Sequence, residues 1–450
     1  MSEEYDLFVI GAGTAGMAAA NKCAAQGWQV GIVDALPYGG TCALRGCDPK
    51  KILRRGAEVI DAAHRMRDKG ITGNGVAIDW SALMRHKRGF TDRVPQRMED
   101  ELTRNGVRTF HGTAQFTGPH EIDIDGTGHR AKRFLIASGA RPRPLTFPGH
   151  ENLVDSTDFL ELDVLPQRIV FIGGGFISFE FAHIAARAGA DCLIIDHGDH
   201  LLKEFDPDLV ELLITRSEQT GIRIQRAATI TRVTRTTAGL DVTVKKDDRT
   251  LTFGADLVVH GAGRVPNLDG LDLDAANIAS GNQGVIVAGH LQSSTNPAVY
   301  AAGDAADTSG KRLTPVASFE GRVAASNMLK GTTIVPDYTG VPTTVFTVPE
   351  LNRVGLLEHE ARDSGLNIKV RYNDTSGWYS NYRAGETTAT TKVILDKTTD
   401  KILGAHLLGP GYAELINIFG LAIKLGLTTR QLKSMTATYP SIGSDLGYML

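Results

Sequence analysis

The sequence is expected to fold as an α/β protein with two Rossmann-like dinucleotide-binding domains and a smaller α+β domain at its C-terminal end. Three observations point there. A strand-like apolar run, a glycine-rich turn and a helical stretch follow one another twice; both repeats close on an acid at matched spacing; and the last part of the chain changes to short strands alternating with helices. The first repeat reads YDLFVI, GAGTAG and WQVGIVD, and the second QRIVFI, GGGFIS, FEFAHIAARAG and ADCLIID. Gly11 to Asp34 is 23 positions, and so is Gly173 to Asp196. One GxGxxG is weak evidence, but two in this context are strong.

Each motif position has a physical role. Gly11 and Gly173 allow the tight turn, and Gly13 and Gly175 let the backbone approach a pyrophosphate. Gly16 lets helix pack on strand, and Ser178, at the same place in the second motif, is small enough to do likewise. Helix N-terminal amides then face the phosphates. Asp34 and Asp196 are expected to accept hydrogen bonds from ribose hydroxyls. Two such sites call for two dinucleotides, and FAD with NAD(P)H is the pairing that makes chemical sense.

Between the repeats, residues 115–135 read as a β-rich insertion ending in FLIASGARP. After the second come LVVHGAGRVPN, then AVYAAGDAAD with Gly303 and Asp304, then the helical SFEGRVAASNML. Residues 331–342 have linker composition. TTVFT, KVILD and ILGAHLL read as strands and AELINIFGLAIKLGL as a helix. The expected boundaries are 1–146 for the first part of an FAD-binding domain, 147–265 for an NAD(P)-binding domain, 266–335 for the second part of the FAD-binding or central domain, and 340–450 for the last domain.

Composition narrows the classes. Hydrophobic residues at 42% and charged residues at 22% are ordinary for a globular chain. A net charge of −3 gives no pull toward nucleic acid or an anionic membrane. No apolar stretch approaches the roughly 18–20 residues needed to span a bilayer. Only Met1–Glu4 precede the strand pattern Tyr5–Ile10, so no leader is expected and the location expected is cytoplasmic. The four cysteines do not make a secreted disulfide framework. Cys23 and Cys192 lie in apolar patterns and are expected to be buried packing residues.

Cys42 and Cys47 differ. They stand in GGTCALRGCDPKK, five positions apart. In an ideal helix their Cα atoms would be roughly 8–9 Å apart, whereas a disulfide wants less than about 7 Å. A bond therefore needs a distorted turn, which Gly46 is placed to supply, and a distorted, reducible disulfide is more often catalytic than structural. Two free thiols or half a metal site are the alternatives; partner ligands at a usual metal spacing are missing, so no metal is expected.

The segment GGTC-ALR-GCDPKK resembles the active-site segment of the pyridine nucleotide–disulfide oxidoreductases, which include dihydrolipoamide dehydrogenase, glutathione reductase and mercuric reductase. GAGTAG, GTAQF, FLIASGARP, GGGFISFEFA, GAGRVPN, AAGDAAD, LTPVA, FTVPE and GAHLLGPG follow in family order over the whole chain. The resemblance implies that Cys47 is the thiol against the flavin and Cys42 the interchange thiol. It places Lys50 near flavin N5, paired with Glu180 on the nicotinamide side. It implies that Asp34 binds the adenosine ribose of FAD, Ala114 the adenine through its backbone and Asp304 the ribityl chain, with Thr314, Pro315 and Val316 lining the flavin edge; Gly40, Thr41, Ser138 and Gly139 are cofactor-binding candidates. Gly263 belongs to the cofactor-binding set, and residues 340–450 to a homodimer interface.

The pattern breaks near the C-terminus. Disulfide-reducing members carry a His-Pro-Thr segment there, whose imidazole moves the proton of thiol exchange. Here Tyr439-Pro440-Ser441 stands in its place, with Ser444 or Asp445 where an acid would orient the histidine. A phenol, with its ordinary pKa of about 10, is a proton donor or positioning group at neutral pH rather than a base. Mercuric reductases carry a C-terminal cysteine pair, and this chain has no cysteine after Cys192. Asp196 favours NAD(H) over NADP(H), since an acid there repels a 2′-phosphate.

The reading is an enzyme passing electrons from NAD(P)H through FAD and Cys42–Cys47 to a small disulfide or thiol-type acceptor, or oxidising a dithiol such as dihydrolipoamide in reverse. Its rivals are a quinone reductase, metal-ion reductase or NADH oxidase using the flavin directly, and a slow-turnover flavoprotein redox sensor.

Overall fold

The computed structural model describes residues 4–72 and 75–450. The chain divides into two compact units. One comprises Met1–Pro49, His86–Arg143 and Arg264–Tyr338; the other comprises Lys50–Arg85, Pro144–Gly263 and Thr339–Leu450.

The first unit is built on a parallel sheet in the order Val299–Ala301, Phe134–Ile136, Leu7–Ile10, Val30–Asp34, Val107–His111. All four residues of Leu7–Ile10 are buried, as a strand covered on both faces requires. The two-residue period of the strand divides them. Leu7 and Val9 pack with Ala15, Ala19 and Ala324 of the helices Thr14–Ala24 and Thr314–Lys330. Phe8 and Ile10 pack with Phe116, Ile122 and Ile124 of an outer antiparallel layer.

The apolar run Tyr5–Ile10 is not one strand. Glu4–Tyr5 joins the outer sheet beside Thr127–Ala131, and Leu7–Ile10 joins the central one. Asp6 makes the break: its carboxylate accepts from Gln29 N at 2.9 Å and Lys132 Nζ at 2.8 Å.

The second unit repeats the plan, with parallel strands in the order Arg223–Gln225, Asp191–Ile195, Arg168–Ile172, Leu257–His260. Ile169 and Phe171 face Phe179 and Ala182 of the helix Phe176–Arg187. Val170 and Ile172 face Val233, Val242 and Val244 of a three-stranded antiparallel sheet. This unit also holds an antiparallel sheet in the order Thr343–Val345, Glu350–Gly355, Ile402–Gly409, Thr390–Asp396, Ile368–Asp374. The helix Tyr412–Leu425 packs there through Leu415, Ile416 and Phe419. The fold is thus of the expected α/β class. Cys23 and Cys192 are fully buried, as their apolar patterns predict. Among the described residues no helix is long and apolar enough to cross a membrane.

Seating of the helix Phe176–Arg187 depends on a glycine outside the motif. A Cβ on Gly261 would lie 2.1 Å from Ser178 Oγ. Ser178 is tolerated at the third motif position because the residue opposite it has no side chain. Gly261→Ala is therefore expected to cost about 1–3 kcal/mol by overpacking, read as a lower denaturation midpoint. Adding Ser178→Gly is expected to recover most of that loss; no recovery would locate the strain elsewhere.

Candidate active site

In the first unit the strand Leu7–Ile10 ends at Gly11, where φ is +107° and a Cβ would lie 2.4 Å from Ala137 O. Gly16 seats the helix on this loop, since a Cβ there would fall 2.0 Å from Gly11 O. Gly13 caps the helix without any side-chain acceptor. A Cβ on Gly13 would meet nothing nearer than Gly40 Cα, at 3.9 Å, whereas one on Gly40 would fall 2.6 Å from Gly13 Cα. Two bare backbones and an uncapped helix start are the donor set a pyrophosphate needs, so these residues fit FAD.

Asp34 is fixed at both oxygens: Oδ2 accepts from Ala12 N at 2.8 Å and Oδ1 from Leu36 N at 2.9 Å. It staples the glycine loop to the strand end, and each oxygen keeps acceptor capacity for a ribose. Ala114 is buried at the start of its strand, Thr41 is exposed, and Ser138 Oγ donates to Asn267 O at 2.6 Å. Gly139 and Gly263 adopt φ of +72° and +104°. Asp304 lies in the single turn Gly303–Ala305, where burial raises its carboxyl pKa against the pull of Arg264 and Arg312. Gly303 N donates to Glu320 Oε2 at 2.7 Å, and Oε1 accepts from Thr308 and Tyr338 at 2.8 and 2.6 Å. Glu320 thereby sets the turn carrying Asp304.

The cysteine segment has the distortion that its spacing demands. Thr41–Arg45 form a wide π-helical turn, Gly46 breaks it at φ −153° and ψ −107°, and Cys47 opens the long helix Cys47–Arg65. Both cysteines are thiols here, Cys47 exposed and Cys42 half-buried. Cys47 Sγ lies 3.4 Å from Oγ1 of Thr314, itself the first residue of the helix Thr314–Lys330. Pro315 follows Thr314 at the helix start, and Val316 is buried. The Cys47 sulfur therefore meets the positive ends of two helices, its own and that of Thr314, and both favour a thiolate. Cys42 is pushed far above the usual thiol range, first by its hydrogen bond with Cys47 and then by burial. Both causes oppose ionisation of Cys42.

In the second unit Lys50 forms an ion pair with Glu180. Glu180 is 1% exposed, and its Oε1 accepts from Phe346 N at 2.8 Å. Gly173 has φ +100°, with a Cβ position 2.6 Å from Gly261 O, and Gly175 starts its helix without a side-chain cap. These residues fit a second dinucleotide as the first set fits FAD. Asp196 repeats the staple, accepting from Gly174 N at 2.6 Å and Gly198 N at 2.7 Å. His197 Nδ1 stands 3.7 Å from it on a largely exposed ring. Tyr439 is 79% exposed, and its hydroxyl has no hydrogen-bond partner among the described residues. Sequence reasoning missed Gly261, Glu320 and Phe346. The GAG of LVVHGAG and the lone acid in SFEGRV were the available signals, whereas a backbone amide leaves none.

Residues 5–321 match the pyridine nucleotide-disulphide oxidoreductase family, and residues 341–449 match the dimerisation domain of pyridine nucleotide-disulphide oxidoreductases. A glutathione reductase of Burkholderia cepacia is 30% identical over 98% of this chain and 97% of its own length. A glutathione reductase of Nostoc sp. is 30% identical, covering 99% of each chain. A mercuric reductase of Lysinibacillus sphaericus is 30% identical over 99% of this chain and 82% of its own.

The unequal burial of the four sulfurs predicts their reactivity. Burial raises Cys23 to about 12 and Cys192 higher still. Iodoacetamide at mildly alkaline pH is expected to label the reduced native protein within the 42–47 segment only. Mass spectrometry showing Cys23 or Cys192 labelled before unfolding would contradict this.

Proposed function

The chain belongs to the pyridine nucleotide-disulphide oxidoreductase family, and we propose that Cys42 and Cys47 are its electron relay to a small disulfide or thiol-type acceptor. As a member it is an FAD-containing, NAD(P)H-dependent oxidoreductase acting on a sulfur group. The observation that carries the relay is the π-turn joining two thiols, one of which stands at two helix starts.

FAD, when bound, supplies the two-electron carrier between nicotinamide and sulfur. Gly11, Gly13 and Gly40 would hold its pyrophosphate, Asp34 its ribose and Asp304 its ribityl chain. Two electrons and one proton open the Cys42–Cys47 bond, leaving a thiolate on Cys47 and a thiol on Cys42. Once deprotonated, Cys42 attacks one sulfur of the acceptor, and the other leaves as a thiol with the proton. Cys47 then displaces the acceptor's remaining half and restores the bond. Lys50, its charge fixed by Glu180, orients groups on the nicotinamide side. Tyr439, with an exposed hydroxyl, would donate a proton or position the acceptor rather than act as a base.

NADH is the proposed donor, supported by the fixed carboxylate of Asp196. A homodimer is supported by the dimerisation domain and by the exposed Leu421 and Leu425 of the helix Tyr412–Leu425. A cytoplasmic location completes the proposal.

Two measurements test this reading. Cys42→Ser is expected to abolish NADH-dependent reduction of a small-disulfide panel while leaving transfer to a redox dye intact. Survival of both activities would make the pair irrelevant to turnover. In the wild type, kcat/KM for NADH is expected to exceed that for NADPH by about tenfold or more, the scale of roughly 1.4 kcal/mol. A ratio below one would reverse the assignment.

A further inference from the structure

The helix Phe176–Arg187 carries three polar side chains along one face, Glu180, His183 and Arg187. Each takes a backbone group of the segment Phe346–Val348. Glu180 Oε1 accepts from Phe346 N at 2.8 Å, His183 Nδ1 accepts from Val348 N at 3.1 Å, and Arg187 Nη2 donates to Val348 O at 2.9 Å. Thr347 O accepts from Arg54 Nη2 at 2.9 Å. The segment is strapped to the helix by side chains rather than by a strand partner.

The strap fixes the state of His183, which is 1% exposed. Ser217 Oγ donates its one hydrogen to Leu213 O at 2.7 Å. The 2.9 Å contact between His183 Nε2 and that hydroxyl therefore has Nε2–H as donor. Nδ1 is left as the bare acceptor, and Arg187 Nη1 also points at it, from 3.2 Å. A proton on Nδ1 would set donor against donor. Burial first, then Arg187, Arg216 and Arg54, hold the imidazole pKa well below its usual value.

We propose that His183 is a positioning residue for the Lys50–Glu180 pair. As an uncharged acceptor it fixes Val348 N and with it the strap, whose Phe346 amide fixes Glu180 Oε1 and leaves Oε2 to Lys50. The inference rests on the reading that this pair serves hydride transfer from the nicotinamide.

The test uses the FAD-loaded enzyme mixed anaerobically with NADH, following loss of flavin absorbance. His183→Leu removes the acceptor, and at saturating NADH the rate is expected to fall about tenfold or more. The NADH concentration for half-maximal rate is expected to stay within about twofold of wild type. His183→Asn puts an acceptor oxygen near the place of Nδ1 and is expected to restore most of the rate. A Leu variant as fast as wild type, or an Asn variant as slow as Leu, overturns the proposal. Should the Leu variant not fold, His183→Gln replaces it, because its longer amide reaches toward Ser217, where its N–H takes the place of Nε2–H, and leaves Val348 N without an acceptor. Asn faster than Gln supports the proposal, and equal rates overturn it. Hydrogen exchange at the Val348 amide gives a readout without electron transfer: slow in wild type and Asn, faster in Leu or Gln. Unchanged protection in all of them counts against the strap. If NADH does not reduce even the wild-type flavin, the electron-transfer reading has failed, and exchange still decides the role of His183.

Discussion

A carboxylate withdrawn from water must be paired, because an isolated buried charge costs several kcal/mol. Glu180 is such a group, on a helix whose neighbouring residues Phe179, Phe181 and Ile184 are apolar and buried. It is satisfied by Lys50 on one oxygen and by the amide of Phe346 on the other. The helix Cys47–Arg65 and the segment before Glu350–Gly355 must therefore both reach it. The same constraint organises the polar interior beyond it. Asp61 is ringed by Arg65, Arg187 and Arg216 at 2.9, 2.7 and 3.3 Å, and Arg65 also meets Glu386 at 3.2 Å. One unpaired member would leave the others with uncompensated charge.

The two nucleotide-binding halves solve one problem with one device. In each, a parallel strand sorts its residues between a helical layer and an antiparallel layer. Each glycine loop is then tied to the end of the next strand by an acid, Asp34 or Asp196. The tie explains the matched spacing in the sequence: the acid must end its strand level with the loop.

Much of this was legible from the residues. The glycines declare themselves because only they tolerate the positive φ at Gly11 and Gly173. The cysteine spacing predicts a distorted turn, and a π-turn lies there. What stayed hidden depends on residues distant in sequence. Gly261 matters only because Ser178 lies opposite, and Glu320 only because it meets the amide of Gly303. His183 reads as one more residue of the helical FEFAHIAARAG until Val348 is brought to it. Tyr5–Ile10 looks like one strand because apolar content does not reveal that Asp6 turns aside to Gln29 and Lys132.

On the proposed part of Asp196 in coenzyme choice, its staple has a consequence for redesign. Exchanging that acid for a small or basic residue, the obvious route to accepting a phosphorylated ribose, would also release the amides of Gly174 and Gly198. The glycine loop would lose its tether in the same step that changed its charge. A productive exchange must keep an acceptor within reach of both amides and bring the new cation from a neighbouring position, so that recognition and loop shape are altered separately.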